Sequence, residues 1–308
     1  QWNFPIFFSP HNPKKLYTAS NHLHATTNQG ESWDLLRPDL TRNDPEKQKS
    51  SGEPITQDNT SVEYYCTIFA ASESPLTEGL LWTGSDDGLI SVTKNGGKDW
   101  SKGTARGMPE WMMINSIEPS VFDPATCYVA ATKYKTGDFN PYLYKTTDYG
   151  ASWKKITKGI NKEHFTRVVR EDPNQKGLLY AGTETGMYIS FNDGDSWQEF
   201  QLNLPIVPIT DLTIKDGNLI VATQGRSLWI LDDLSVLHQL ANAKNNGTYL
   251  FTPKDTYRMG GGSRAGSLTE GANHPSGVMT YFNLANREDK KVTLSYLSMA
   301  NDTIKKFS

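Results

Sequence analysis

Cleaving a glycosidic bond takes two carboxylates facing each other across a sugar at about 5–10 Å, so acidic side chains are where chemistry is sought first. Asp86–Asp87 is the most visible acidic pair of the 308-residue sequence. It stands in a short hairpin turn closed by Gly88, where adjacent carboxylates need not converge and a turn-forming role is expected. Glu184 occupies the same turn one repeat later, and Asp232–Asp233 reads as a turn as well. Glu63, Glu73, Glu171 and Asp211 fall near the ends of expected strands, and Glu63, Glu73 and Asp211 are the candidate catalytic acids. His22 and His24 alternate along a strand and so share a face, as two zinc ligands would, but no third ligand accompanies them. No Gly-rich phosphate loop leads a strand into a helix, and no nucleophile–histidine set follows from residue order. Neither metal nor cofactor is expected.

Aromatic side chains suggest binding more readily than the acids suggest catalysis. Trp111, Met112 and Met113 form an apolar loop between Pro109–Glu110 and the next strand, and Tyr134 through Tyr144 reads as a long aromatic hairpin loop. Rings of this kind stack on sugars or grip peptides. Trp111, Tyr134, Tyr142 and Arg226 are the candidate ligand-binding residues; the competing reading packs these loops onto the rim of the domain.

The elements that would position these residues are set by a repeat. Four octets share the pattern hydroxyl-x-Asp/Asn-x-Gly-x-x-Trp: Thr26, Asn28, Gly30, Trp33; Thr93, Asn95, Gly97, Trp100; Thr146, Asp148, Gly150, Trp153; and Ser190, Asn192, Gly194, Trp197. Their tryptophans lie 67, 53 and 44 residues apart, close to the roughly 40–50 residues of a four-stranded blade. A polar insertion, Arg37 to Thr60, accounts for the longest interval. In each octet, here called a box, Gly supplies a positive φ while the hydroxyl and the Asp or Asn hold free backbone N–H groups. The box lacks the carboxylate density and terminal Glu of a calcium loop.

Each box is preceded by a strand, a small-residue turn and a second strand, as in Leu80–Gly84, Ser85–Gly88 and Leu89–Val92. Further upstream, another strand ends in a Pro-containing turn such as Phe122–Asp123–Pro124. A fifth copy, Leu219–Thr223 and Leu228–Leu231, ends in a decayed box at Asp232–Asp233. The sum is an all-β chain of about five four-stranded blades with no convincing long amphipathic helix. Residues 1–241 are read as blades and 242–277 as a linker with a Gly/Ser-rich loop. Residues 278–308 are read as the first hairpin of a β-sandwich, pairing Val278–Phe282 with Val292–Tyr296.

Hydrophobic residues make up 36% of the chain and charged residues 21%, enough apolar material for a core. The net charge of −3 and the absence of a Lys/Arg block argue against a nucleic-acid partner. No run approaches the roughly 20 apolar residues of a membrane span. Both ends read as cut from a longer polypeptide, whose remaining blades would be partners of these. Cys66 and Cys127 lie in separate apolar segments, as two buried thiols or as one disulfide.

The boxes resemble the Asp-box, or BNR, repeat of sialidases, xyloglucanase-type glycoside hydrolases and the sortilin ectodomain. The stretch from Glu63 to Leu231 is similar to exported bacterial proteins of the sortilin-like, "BNR glycosyl hydrolase" type. Glu63–Tyr65, Glu73–Pro75, Gly84–Gly88, Pro141–Gly150, Asn203–Pro205 and Gly225–Leu234 carry the likeness. It implies the C-terminal part of a large propeller followed by an immunoglobulin-like domain, exported to the periplasm, cell surface or medium. A non-catalytic propeller binding a protein, peptide or glycan on its loop face is the favoured function. The alternative is a xyloglucanase- or sialidase-like hydrolase using face carboxylates. A sialidase site would add three convergent arginines, and no trio stands out among Arg106, Arg167, Arg170 and Arg226.

Overall fold

The computed structural model describes residues 3–50, 52, 65–242, 247–256, 277–285 and 291–308. The chain divides into two compact units, Gln1–Asp232 and Asp233–Ser308.

The first unit is a succession of antiparallel meanders. Sheet 1 holds β1 (Ile6–Phe8), β2 (Leu16–Ala19), β3 (Leu23–Thr26) and β4 (Asp34–Leu36). Sheet 2 holds β5 (Ile68–Glu73), β6 (Leu81–Ser85), β7 (Ile90–Thr93) and β8 (Ser101–Lys102). Sheet 3 holds β9 (Met113–Pro119), β10 (Cys127–Lys133), β11 (Asp138–Thr146) and β12 (Lys154–Lys155). Sheet 4 holds β13 (Thr166–Glu171), β14 (Leu179–Thr183), β15 (Gly186–Ser190) and β16 (Gln198–Glu199). Sheet 5 has three strands, β17 (Ile209–Lys215), β18 (Asn218–Thr223) and β19 (Leu228–Leu231).

The first strands β5, β9, β13 and β17 meet in succession, as in propeller blades arranged about an axis. Burial follows from that geometry. The middle strands β6, β7, β14 and β15 are buried at every residue, because a neighbouring sheet covers each face. The fourth strands β8, β12 and β16 are exposed at every residue and form the rim.

Between sheets 2 and 3 lie Trp82, Ile90, Ile114 and Val129, and between sheets 3 and 4 lie Tyr128, Leu143, Val169 and Leu179. In sheets 2 and 4 the close approach of the next sheet depends on a glycine in the second strand. A Cβ at Gly84 would stand 2.3 Å from the Ile114 side chain, and one at Gly182 would stand 2.7 Å from that of Ile209.

Each box closes the turn between a third and a fourth strand with one hydrogen-bond set. In sheet 3, Thr146 Oγ1 donates to Asp148 Oδ1 at 2.7 Å and accepts from Gly150 N at 3.0 Å, while Ser152 N donates to Asp148 Oδ1 at 2.8 Å. Asn28, Asn95 and Asn192 accept through the same Oδ1 and donate through Nδ2, so Asn serves as well as Asp. Two successive left-handed residues make the bend, Tyr149 and Gly150 in sheet 3 and Asp193 and Gly194 in sheet 4.

Sheet 5 shows what the box requires. The pairing Leu219–Leu231 matches Leu179–Ser190, which puts Leu231 where the other sheets carry the hydroxyl. That hydroxyl's place in the turn is thus taken by an apolar side chain, and no fourth strand follows among the described residues.

The second unit begins with a helix absent from the sequence expectations, α1 (Ser235–Asn242), whose first N–H is held by Asp233 Oδ1 at 3.1 Å. The expected hairpin of 278–282 with 292–296 is not formed. β20 (Tyr249–Leu250) pairs instead with β21 (Phe282–Asn283), and β22 (Leu294–Leu297) pairs with β23 (Thr303–Phe307). The turn between the latter two is local: Ser298 N donates to Asp302 O and Ser298 Oγ accepts from Asp302 N. Closing so short a loop costs less chain entropy than joining distant segments.

Candidate functional site

The meander sorts the loops of the first unit between two ends. Boxes and first-to-second-strand turns lie at one end; second-to-third-strand turns and the sheet-to-sheet connections lie at the other, here called the loop end.

Asp86 and Asp87 stand at the loop end and are 2% and 0% exposed. Asp86 Oδ1 accepts from Cys66 N at 3.0 Å and Thr67 N at 2.9 Å. Asp87 Oδ2 accepts from Arg42 N at 2.8 Å, and its other oxygen takes a close hydrogen bond from Ser85 Oγ. The pair sits in a turn, as read from the sequence, and in addition fastens both ends of the long connection between sheets 1 and 2. Both oxygens of Asp87 and the Oδ1 of Asp86 are thereby engaged within the protein.

What this fastening positions is Trp111, in the connection between sheets 2 and 3. Its backbone is left-handed at φ 58°, a conformation costly for a bulky residue. The chain there runs so close to the Asp87–Gly88 turn that a Cβ at Gly88 would stand 3.1 Å from Met112 N. The Arg42 guanidinium lies 5.2 Å from the Trp111 ring and the Lys47 ammonium 5.6 Å, both within cation–π reach. Tyr65 meets the ring edge-on at 5.6 Å.

Next to it, Tyr134 opens a single 3-10 turn, Tyr134–Thr136, between β10 and β11. It stacks on Phe165 at 5.0 Å, with the Arg167 guanidinium 5.8 Å from its ring. Arg167 is itself paired with Glu184 at 2.6 Å. Two hollows meet here and share Met113 and Tyr134. One, of about 60 Å3, is lined by Tyr65, Trp111 and Tyr134 together with Lys133, Lys135 and Thr136. The other, of about 410 Å3, runs along the first strands past Phe69, Asn115, Arg167 and Thr210.

Of the candidate catalytic acids, Glu73 and Asp211 are not brought together. Glu63 lies outside the described residues. Glu73 is buried at the opposite end, where Oε1 accepts from Gly79 N at 2.8 Å. Asp211 is 63% exposed on β17 and pairs with Arg170 at 2.7 Å. Arg170 also reaches Ser116 Oγ at 2.7 Å, the Leu212 carbonyl at 2.8 Å and Glu118 at 3.5 Å, joining sheets 3, 4 and 5. Burial pushes the Glu118 carboxyl up to about 7, partly offset by Arg170.

The binding candidates divide. Trp111 and Tyr134 share the small hollow. Arg226 is exposed in the turn between β18 and β19, its carbonyl accepting from Trp229 Nε1 at 2.9 Å. Tyr142 is buried, because the segment read as a long loop is largely strand β11; its hydroxyl donates to Asp138 at 2.6 Å. Met112 is likewise buried and not part of an exposed loop. Both cysteines are free and buried. His24 accepts or donates through Nε2 to Ser20 Oγ at 2.9 Å, and no three metal-type side chains converge among the described residues. No helix among them is long and apolar enough to cross a membrane.

The sequence reading passed over Arg42, Lys47 and Phe165. Arg42 and Lys47 lay inside what looked like a featureless polar insertion, and only the Asp86–Asp87 fastening places them beside Trp111.

No known family profile matches the chain. Over 111 residues it is 27% identical to an oligoxyloglucan-reducing end-specific xyloglucanase of Emericella nidulans, a match covering 34% of this chain and 13% of that protein. Among solved structures it is similar to an ancestral GH74 enzyme, with 18% identity and a TM-score of 0.52 over 72% of this chain and 27% of the other. It is also similar to the GH74 xyloglucanase of Xanthomonas campestris, with 14% identity and a TM-score of 0.52 over 75% of this chain and 36% of the other. The chain therefore spans about a third or less of the length of these proteins. The likeness is one of fold: an all-β series of antiparallel sheets built as β-propeller blades.

Proposed function

We propose that this chain is part of an exported β-propeller that binds a glycan at its loop end and leaves the glycan uncut. The observation that carries the reading is the division of labour at that end. Tyr65, Trp111 and Tyr134 line an open hollow; Asp86, in its wall, and Asp87 behind it are buried and accept hydrogen bonds from backbone N–H groups, and Glu184 is paired with Arg167. Sugar rings present flat apolar faces that aromatic side chains cover. Hydrolysis would need two accessible carboxylates facing each other across the sugar, and the loop-end acids named here are engaged elsewhere. The likeness to xyloglucanases favours a polysaccharide over a peptide, and it keeps hydrolysis as the second reading, with Glu118 and Asp211 as its acids.

Calorimetric titration of the chain with xyloglucan oligosaccharides tests the proposal, with reducing ends assayed in the same samples. Binding without new reducing ends is expected, and Trp111→Ala should weaken it about tenfold, the value of one stacked aromatic ring. Release of reducing ends that disappears in Asp211→Asn or Glu118→Gln would establish the hydrolase instead.

A further inference from the structure

We infer that the edge of sheet 5 binds an extended, tryptophan-bearing segment of a second polypeptide, which adds to β19 as a fourth strand and seats its indole between sheets 4 and 5. The repeat supplies the first argument. Trp153 and Trp197 each precede a rim strand and donate to a carbonyl of the connection before their own sheet, Gly103 and Ile156. Around Trp197 cluster Ile156, Leu179, Ala181 and Tyr188.

Register carries those positions into sheet 5. Leu179–Ser190 and Ala181–Tyr188 match Leu219–Leu231 and Val221–Trp229. Ile156 and Phe200 match as well, since each donates its N–H back to a third strand, to the Leu143 and Met187 carbonyls. Phe200, Leu219, Val221 and Trp229 line one open hollow between sheets 4 and 5. The hollow has the walls of a box tryptophan's seat, and sheet 5, whose box has decayed, brings no such tryptophan to it.

The strand edge is the second argument. The rim strands β8, β12 and β16 are polar and exposed, reading Ser-Lys, Lys-Lys and Gln-Glu, as open sheet edges in water usually are. β19 reads Leu-Trp-Ile-Leu, with Leu228 68% and Ile230 59% exposed. Ser227 turns its carbonyl to β18, where it accepts from Thr223 N, so alternation points the amide groups of Leu228 and Ile230 the other way. Met187, the equivalent of Leu228, uses that side to accept from Phe200 N at 2.9 Å. No strand among the described residues pairs with β19 there.

The residues that directly follow do not supply one. Asp233 caps helix α1, and the position seven beyond Leu231, the spacing from Ser190 to Trp197, is His238 within that helix. The ligand that fits has the chemistry of this chain's own rim strands: a tryptophan, two polar residues in extended form, then an apolar one. Main-chain pairing holds such a strand and the pocketed side chain selects it.

The test is calorimetric titration of the chain with the peptide Asp-Ser-Trp-Gln-Glu-Phe-Gln, which copies residues 195–201. The same peptide with alanine for tryptophan, and tryptophan amide alone, are the comparisons. The first peptide should bind, and each of the others should bind at least about tenfold more weakly, one lacking the anchor and the other the strand. Val221→Trp, which fills the hollow, should abolish peptide binding. Ile230→Pro, which removes an edge N–H, should weaken it severalfold, with denaturation curves checking that both variants are folded. Absence of peptide binding overturns the inference, as does equal binding of the alanine peptide or of tryptophan amide. Binding by this chain that disappears in a longer polypeptide containing it also overturns it, since the edge would then belong to that polypeptide's own strand. The glycan reading stands apart from all of these outcomes.

Discussion

Two tryptophans, one in a joint between sheets and one at the loop end, show how position decides what a side chain does. Trp197 follows the box of sheet 4, is 5% exposed, and donates its indole N–H to the Ile156 carbonyl of the preceding connection at 2.7 Å. Trp153 makes the same bond one sheet earlier, to the Gly103 carbonyl at 2.5 Å. Trp33, with no sheet before it among the described residues, stays 42% exposed. Trp111 belongs to no box; a strained backbone and two cations hold it at the mouth of a hollow. The same ring is cement where a neighbouring sheet covers it; where none does, the proposed function makes it a contact surface. Carboxylates divide less evenly, because at both ends they are committed to backbone N–H groups and arginines.

If the joints carry stability and the loop end carries binding, substitutions in the two places separate cleanly. The largest effect belongs to Trp197→Ala, which should cost about 3–5 kcal/mol in chemical denaturation, as for truncation of a buried aromatic. A loss below about 1 kcal/mol would break the comparison, since the ring would then be no more structural than Trp111.

Next comes the charge held between sheets 3, 4 and 5. The folded Glu118 carboxyl titrates near 7 against an ordinary value of 4.5, so the folded state binds a proton that the unfolded chain releases. Stability present in acid should therefore fall as pH rises from about 4.5 to about 7 and level off above, by on the order of 2 kcal/mol. Glu118→Gln should flatten this slope in denaturation curves taken across that range, and an unchanged slope would place the titration elsewhere.

The smallest effect concerns the boxes. Thr146→Val removes a hydroxyl that both donates and accepts in the turn of sheet 3 and should cost about 1–2 kcal/mol, with glycan binding unaltered. Loss of binding at constant stability would show that the two ends communicate.

The sequence by itself determined the repeating unit. A hydroxyl, an Asp or Asn, a glycine and a tryptophan at set spacing specify a local turn, and local turns depend only on neighbours in the chain. The four boxes, the strands flanking them and the decay of the fifth could all be read without coordinates. The physical reason for that decay, Leu231 at the hydroxyl position, emerges only once strand register is known.

Only the tertiary structure decided which residues meet at the loop end. The Asp86–Asp87 turn captures Arg42 and Cys66–Thr67 from a connection that sequence periodicity leaves unmarked. Tyr142 and Met112 read as exposed loop residues and are buried, because strand β11 and the connection leading into β9 run deeper than their composition suggests. Contacts between sheets join residues far apart in sequence, and no local pattern records which of many apolar or charged residues will find one another once the sheets close together.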